Sequence, residues 1–168
     1  MPSHQDTQDS APGKMLISLG VLAIVLENNK VGLEQTAYRG GRWSLPGGFL
    51  EAGESPINAL RREILEELGV SLKIKRFAGV CHRIYDNNLS LVFETCVSPG
   101  ETPRPDGCEV LEFRFFSPTE LPDPISSPTR AIIEAVLRFK RVPFVVTFHT
   151  PETGEWQGEA GPSHTPNY

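Results

Sequence analysis

The chain has little of what marks a disulfide-held or metal-finger protein. Its three cysteines, Cys81, Cys96 and Cys108, are odd in number and show no paired spacing. That argues against a disulfide framework and for a reducing, cytoplasmic setting. The four histidines are scattered and make no zinc signature. Long apolar runs are scarce as well. Met15 to Leu26 (MLISLGVLAIVL) is too short to span a bilayer and is followed by Glu-Asn-Asn-Lys, with no small-residue cleavage site. It reads as a buried strand, and no membrane contact is expected. Positive charge is also in deficit, 16 Lys and Arg against 21 Asp and Glu, for a formal net charge of -5. That argues against a broad electrostatic grip on a nucleic acid polymer. Any phosphate contact must come from locally placed cations and bound metal.

What is present suits one domain. The 168 residues are 39% hydrophobic and 22% charged, ordinary values for a globular chain able to bury a substantial core. Residues 1–13 and 152–168 are polar and rich in Gly, Pro, Ser and Thr, and are expected to be disordered tails around a domain at 14–151. Strands are expected at Met15–Leu26 and Val31–Thr36 around the turn Asn28-Asn29-Lys30, then within Ser71–Val80. A strand pair, Val80–Tyr85 with Leu89–Val97, and a strand over Glu109–Phe116 complete the sheet. Tyr38–Ser44 and Ser98–Gly107 read as loops. Ser126 or Ser127 caps a helix running to about Phe139, with Ile132, Ile133, Val136 and Leu137 at helical spacing. Val142–Phe148 has strand composition and either adds an edge strand or packs on the core. Strands, helix, strands, helix in this order predict an α/β/α sandwich with a mixed sheet.

The most specific stretch is Gly48 to Val70, GFLEAGESPINALRREILEELGV. Ser55-Pro56 is a helix start, since serine caps free N–H groups and proline suits the first helical position. Ile57, Leu60, Ile64 and Leu68 form one apolar stripe. Glu63, Glu66 and Glu67 fall within roughly 100° of arc on another face. Gly69 supplies the left-handed C-terminal cap. Three clustered carboxylates repel one another and cost stability unless a cation compensates them. Upstream, Leu45-Pro46-Gly47-Gly48 can turn sharply enough to offer a carbonyl toward them. Hard oxygen ligands of this kind suit magnesium or manganese.

Gly48, Glu54, Arg62, Glu63, Ile64, Glu66, Glu67, Gly69 and Val70 also occupy every specified place of the Nudix box, G-x5-E-x7-R-E-U-x-E-E-x-G-U with U aliphatic. The chain resembles the Nudix hydrolases over roughly Lys14 to Lys140. The resemblance implies the Nudix fold and Mg2+- or Mn2+-dependent cleavage of a diphosphate joining a nucleoside to another group, X. It implies that Glu66, Glu67 and the Gly47 carbonyl hold metal, and that Glu63 is a further ligand or the base that activates water. Arg62 would orient the glutamates, and Glu54 would brace the turn or that arginine. Many members add a later acid; Glu94, Glu109 and Glu112 are candidates, and Glu109 is preferred because EVLEFRFF resembles the segment where that acid often lies.

Outside the box, Arg39 and Arg42 stand just before the Gly-rich turn, within reach of phosphate. Tyr85 lies where diadenosine-polyphosphate hydrolases of the family tend to carry a tyrosine. Trp43 reads as a buried aromatic rather than a base-stacking one. The proline that marks many ADP-ribose hydrolases and the extended motif of NADH pyrophosphatases are not seen. The expected partner is a small nucleoside diphosphate derivative, such as a nucleoside triphosphate, dinucleoside polyphosphate or nucleotide sugar, bound by a monomer or homodimer. Two other classes fit the fold, a non-catalytic nucleotide-binding module and an isopentenyl-type isomerase. The first usually shows a damaged box, and the second would need a cysteine such as Cys81 beside an alkene.

Overall fold

Side-chain alternation along strand β1 (Ser18–Glu27) sorts the core into two layers. Val21, Ala23 and Val25 face helix α1 (Pro56–Leu68), where Leu60, Ile64 and Leu68 complete one cluster. Ile24 points to the opposite face and packs with Leu33, Ile132, Ile133 and Phe144 under helix α2 (Ser127–Arg138). A strand buried on both faces needs apolar residues at successive positions, which explains the unbroken run in its sequence. The computed structural model describes residues 16–38 and 40–150, and these form an α/β/α sandwich.

The sheet is mixed. Strand β1 makes an antiparallel hairpin with β2 (Lys30–Thr36) through Asn28 and Asn29, both at positive φ, a conformation that asparagine tolerates. On its other edge β1 runs parallel to β5 (Asn88–Val97), which pairs antiparallel with β4 (Leu72–Arg83). Strand β7 (Phe144–Phe148) closes that edge parallel to β4, and β6 (Val110–Phe116) pairs antiparallel with β2. The apolar run after α2 therefore supplies both an edge strand and core side chains, Phe144, Val146 and Phe148.

Three local expectations change. Ser71–Val80 and Val80–Tyr85 are one strand, β4, bent by irregularities at Ile74/Arg76 and Phe77/Gly79. Tyr85 lies beyond it, in the short 3₁₀ turn Ile84–Asp86. Within the expected loop Tyr38–Ser44, Trp43–Ser44 is a short strand, β3, paired with β2. Trp43 N–H donates to the Pro124 carbonyl at 2.9 Å, and its own carbonyl accepts from Ser126 N–H at 3.1 Å. These partners are distant in sequence, so local composition does not reveal them. Trp43 is buried edge-on against Phe116, as expected of a core aromatic. Met15, the tail segments 1–13 and 152–168, and Arg39 lie outside the described residues.

Candidate active site

The site begins where β1 and β2 part. Their pairing covers only Val25 to Glu27 against Lys30 to Gly32. Farther along β1 the Pro46–Leu50 segment takes the place of β2. Val21 N–H donates to the Gly48 carbonyl at 2.8 Å, Ala23 N–H to the Pro46 carbonyl at 2.9 Å, and Leu50 N–H to the Leu19 carbonyl at 3.0 Å. Gly47 has φ +134°, and a Cβ there would lie 2.2 Å from the Val21 carbonyl oxygen. A Cβ on Gly48 would lie 2.4 Å from the Glu63 carboxyl carbon. Both positions therefore exclude a side chain, and the bare backbone runs directly beneath helix α1.

Helix α1 is placed by its caps. The Ser55 hydroxyl accepts from Asn58 N–H, Pro56 opens the first turn, and Gly69 ends the helix in the left-handed conformation. Its buried stripe fixes the rotation that turns Glu63 and Glu67 toward the glycines. Gly47 N–H donates to Glu67 Oε2 at 3.0 Å. Arg62 gathers the remaining acids. Its Nε and Nη2 donate to Glu54 Oε1 and Oε2 at 3.1 and 3.0 Å, and Nη1 donates to Glu63 Oε1 at 2.9 Å and Glu66 Oε2 at 3.3 Å. A fifth bond, from Nη2 to the Phe49 carbonyl at 3.0 Å, ties the guanidinium to the loop. The hydrogen bond from Arg62 holds the Glu54 carboxyl below its usual range, and that same bond raises the arginine further.

Beneath this network lies a cavity of about 380 Å³ lined by Glu34, Gly47, Gly48, Glu63, Glu67 and Glu109, with Arg62 and Arg83 at its walls. Glu67 is only 6% exposed, and burial pushes its pKa up to about 8, the nearby Glu63 and Glu109 adding to the rise. Glu34 is 2% exposed, and burial first, then the charge of Glu67, raises its carboxyl well above the ordinary range. Among the described residues its Oε2 has no hydrogen-bond partner. Glu66 stands apart from the other two helix acids, with its side chain 59% exposed and its carboxylate on Arg62 rather than on the cavity. Among the described residues no group of three acidic, histidine or cysteine side chains stands close enough to hold a metal ion as it is. The cavity nonetheless fits a hard divalent cation. It offers carboxylate oxygens, one of them buried without a donor, beside glycine backbone that no side chain obstructs.

A second cavity, of about 540 Å³, adjoins the first and shares Thr36, Ser44, Arg83, Ser126 and Pro128 with it. Arg42 and Tyr85 both line it, together with Asp86 and Ser127. The two substrate-side candidates within the described residues thus meet in one place. Of the late acids, Glu109 lines the acidic cavity, whereas Glu94 pairs with Arg76 at 2.8 Å and Glu112 pairs with Arg114. Cys81 is buried, its thiol pushed up to about 12 by desolvation, and it lines neither cavity.

Sequence reasoning missed Glu34 and Arg83. Glu34 carried one signal, a lone acid between buried Leu33 and Thr36 in a strand with no turn or cap to employ it. Arg83 carried none, because its buried Nε and its place between the cavities depend on the end of β4 meeting α2.

The model of the NUDIX domain family matches residues 17–136. The chain belongs to the Nudix family. Among curated Nudix relatives, the NAD-capped RNA hydrolase NudC of Vibrio parahaemolyticus is 29% identical over 119 residues, covering 70% of this chain and 45% of that protein. The ADP-ribose pyrophosphatase of Methanocaldococcus jannaschii is 32% identical over 131 residues, covering 73% of this chain and 75% of the relative. The chain thus spans less than half the length of the first of these relatives. Among solved structures, a MutT Nudix hydrolase from Burkholderia pseudomallei superposes with TM-score 0.63 at 26% identity, covering 73% of this chain and 99% of that one. Relatives of comparable identity thus carry different substrates in their names, and the Nudix match alone does not choose among them.

Proposed function

We propose that this Nudix protein is a metal-dependent pyrophosphohydrolase that cleaves the diphosphate of a nucleoside diphosphate linked to a group X. The observation that carries this reading is the acidic cavity at Gly47-Gly48, where Glu63 and Glu67 converge under an arginine engaged by five hydrogen bonds. Mg2+ or Mn2+ bound there would offset the charge of the diphosphate and lower the pKa of an attacking water. Glu67 and the Gly47 carbonyl would hold the ion, with Glu109 as the later acid, and Glu66 would join them by turning from Arg62 toward the cavity. Glu63 either joins them or takes the proton from water. Arg62 holds Glu63 and Glu66 in register, and Glu54 holds Arg62. Arg42, Arg83 and Tyr85 line the adjoining cavity, which suits the rest of the substrate, with Arg39 nearby in sequence. An intact box and a formed cavity favour turnover over a binding-only module.

No helix among the described residues is long and apolar enough to cross a membrane. The free thiols of Cys81, Cys96 and Cys108 fit the reducing cytoplasm proposed as its location. The deciding experiment is a panel of nucleoside triphosphates, dinucleoside polyphosphates, nucleotide sugars and ADP-ribose, assayed for mononucleotide release with Mg2+ and with Mn2+. Release from at least one, abolished by EDTA, is expected. Binding across the panel without release would make the protein a nucleotide-binding module instead.

A further inference from the structure

Strand β2 carries an acid that the Nudix box does not contain. Glu34 stands opposite Ser44 of β3 and Phe113 of β6 in the sheet register, so its backbone is pinned on both edges. Its side chain is 2% exposed and lines the acidic cavity, its carboxyl lies within hydrogen-bonding reach of that of Glu67, and among the described residues Oε2 meets no donor. Two buried carboxyls in contact repel when both are ionised, so such groups are normally paired with a cation or bound to a metal.

Among the described residues, the cations nearby do not serve it. Arg62 is fully engaged with Glu54, Glu63, Glu66 and the Phe49 carbonyl. Arg83 lines the same cavity yet bridges to Asp86 at 3.3 Å, and its buried Nε has no acceptor among the described residues. Among the described residues the cavity lining therefore contains a carboxylate oxygen without a donor and a guanidinium N–H without an acceptor, and they do not pair with each other. A cation–diphosphate complex would satisfy both, the metal meeting the carboxylate and a phosphate oxygen meeting the guanidinium.

We infer that Glu34 is a ligand of the divalent cation, held jointly with Glu67, so that the ion bridges strand β2 and helix α1. This rests on the reading of the cavity as a metal site, and it adds to that reading a ligand from outside the box. The anchoring differs from that of a helix-borne ligand. Glu66 and Glu67 move with α1, whereas Glu34 is fixed by a strand bonded along both edges. Occupancy of the site would thus lock the helix to the sheet.

The test is direct binding of Mn2+ alone, followed by electron paramagnetic resonance and calorimetry, on the full chain without substrate. Glu34→Gln preserves the size of the side chain and removes its charge; its affinity should fall on the order of tenfold or more. Glu112→Gln, on β6 and paired with Arg114 away from the cavity, should bind as the parent does. Should Glu34→Gln not fold, Glu34→Asp keeps the charge but withdraws it by one methylene from a strand that cannot follow, and weakened binding is again expected. Parental affinity in whichever variant folds would overturn the assignment and leave the proposed hydrolysis standing. A parent that binds no Mn2+ would overturn both.

Discussion

Arg62 and Glu54 meet through two parallel hydrogen bonds, Nε to Oε1 at 3.1 Å and Nη2 to Oε2 at 3.0 Å. Only a planar guanidinium can do this while also donating to Glu63, Glu66 and a backbone carbonyl. Arg62→Lys keeps the charge and loses the fork. Glu63 would then shift by a fraction of an ångström to an ångström, a displacement that can cost on the order of 10²-fold in rate. We expect kcat to fall by about that much with little change in thermal stability. A rate within twofold of the parent would show that Arg62 does not position Glu63.

The metal-free protein should lose stability as pH rises. Glu67 has an ordinary value of 4.5 and stands at about 8 in the folded state, chiefly through burial. A raised folded value means that the native state holds the proton more tightly. Its contribution is therefore fully present below about 4.5 and is lost as pH climbs through about 8. Thermal unfolding in EDTA should show Tm falling across that window, and Mg2+ should oppose the fall at the alkaline end. Glu67→Gln should flatten the profile and reduce hydrolysis by orders of magnitude. A parental Tm independent of pH over this range would contradict the burial argument.

The faces of α1 can be separated by stability. Ile64 is fully buried, so Ile64→Ala should cost about 2–5 kcal/mol, as large-to-small core changes do. Glu66 is largely exposed, and Glu66→Gln should stay within roughly 0.5 kcal/mol of the parent. The loss of metal-dependent activity should rank the other way. Denaturant unfolding that reverses the stability order would mean the helix is rotated.

Periodicity made the two helices and most strands legible, because Ile57, Leu60, Ile64 and Leu68, like Ile132, Ile133 and Val136, repeat at helical spacing on the faces that the structure buries or half-buries. The box residues were legible because their spacing is fixed along one helix and one turn. What the sequence hid depends on long-range pairing. Trp43–Ser44 becomes a strand only because β2 lies beside it, and β4 continues past Val80 because β5 and β7 flank it. The separation of Glu66 from Glu63 and Glu67 was also hidden. An arc of helix does not say that Arg62 will draw one acid outward while the sheet buries another.

We propose that residues 14–151 suffice for the fold and its activity. Every described residue that lines the two cavities lies between Leu22 and Ile132, and the edge strand that covers the core ends at Phe148. A protein cut to residues 14–151 should unfold at the parental temperature and retain metal-dependent hydrolysis. Normal folding without turnover would show that an end of the chain completes the site.

Substitution of Arg83 should separate substrate binding from metal binding. The arginine joins the two cavities, and its buried Nε needs an acceptor that the described residues do not provide. A phosphate oxygen in the bound state meets that need, and a hydrogen bond to a charged group contributes about 1.5–3 kcal/mol. If the contact forms equally in the ground and transition states, its loss raises KM and leaves kcat alone. Arg83→Gln should therefore raise KM about tenfold or more, with Mn2+ affinity in the absence of substrate unchanged. An equal fall in kcat and in kcat/KM would instead place the contact in the transition state alone. Parental kinetics would remove Arg83 from the substrate path and leave its buried nitrogen to another partner.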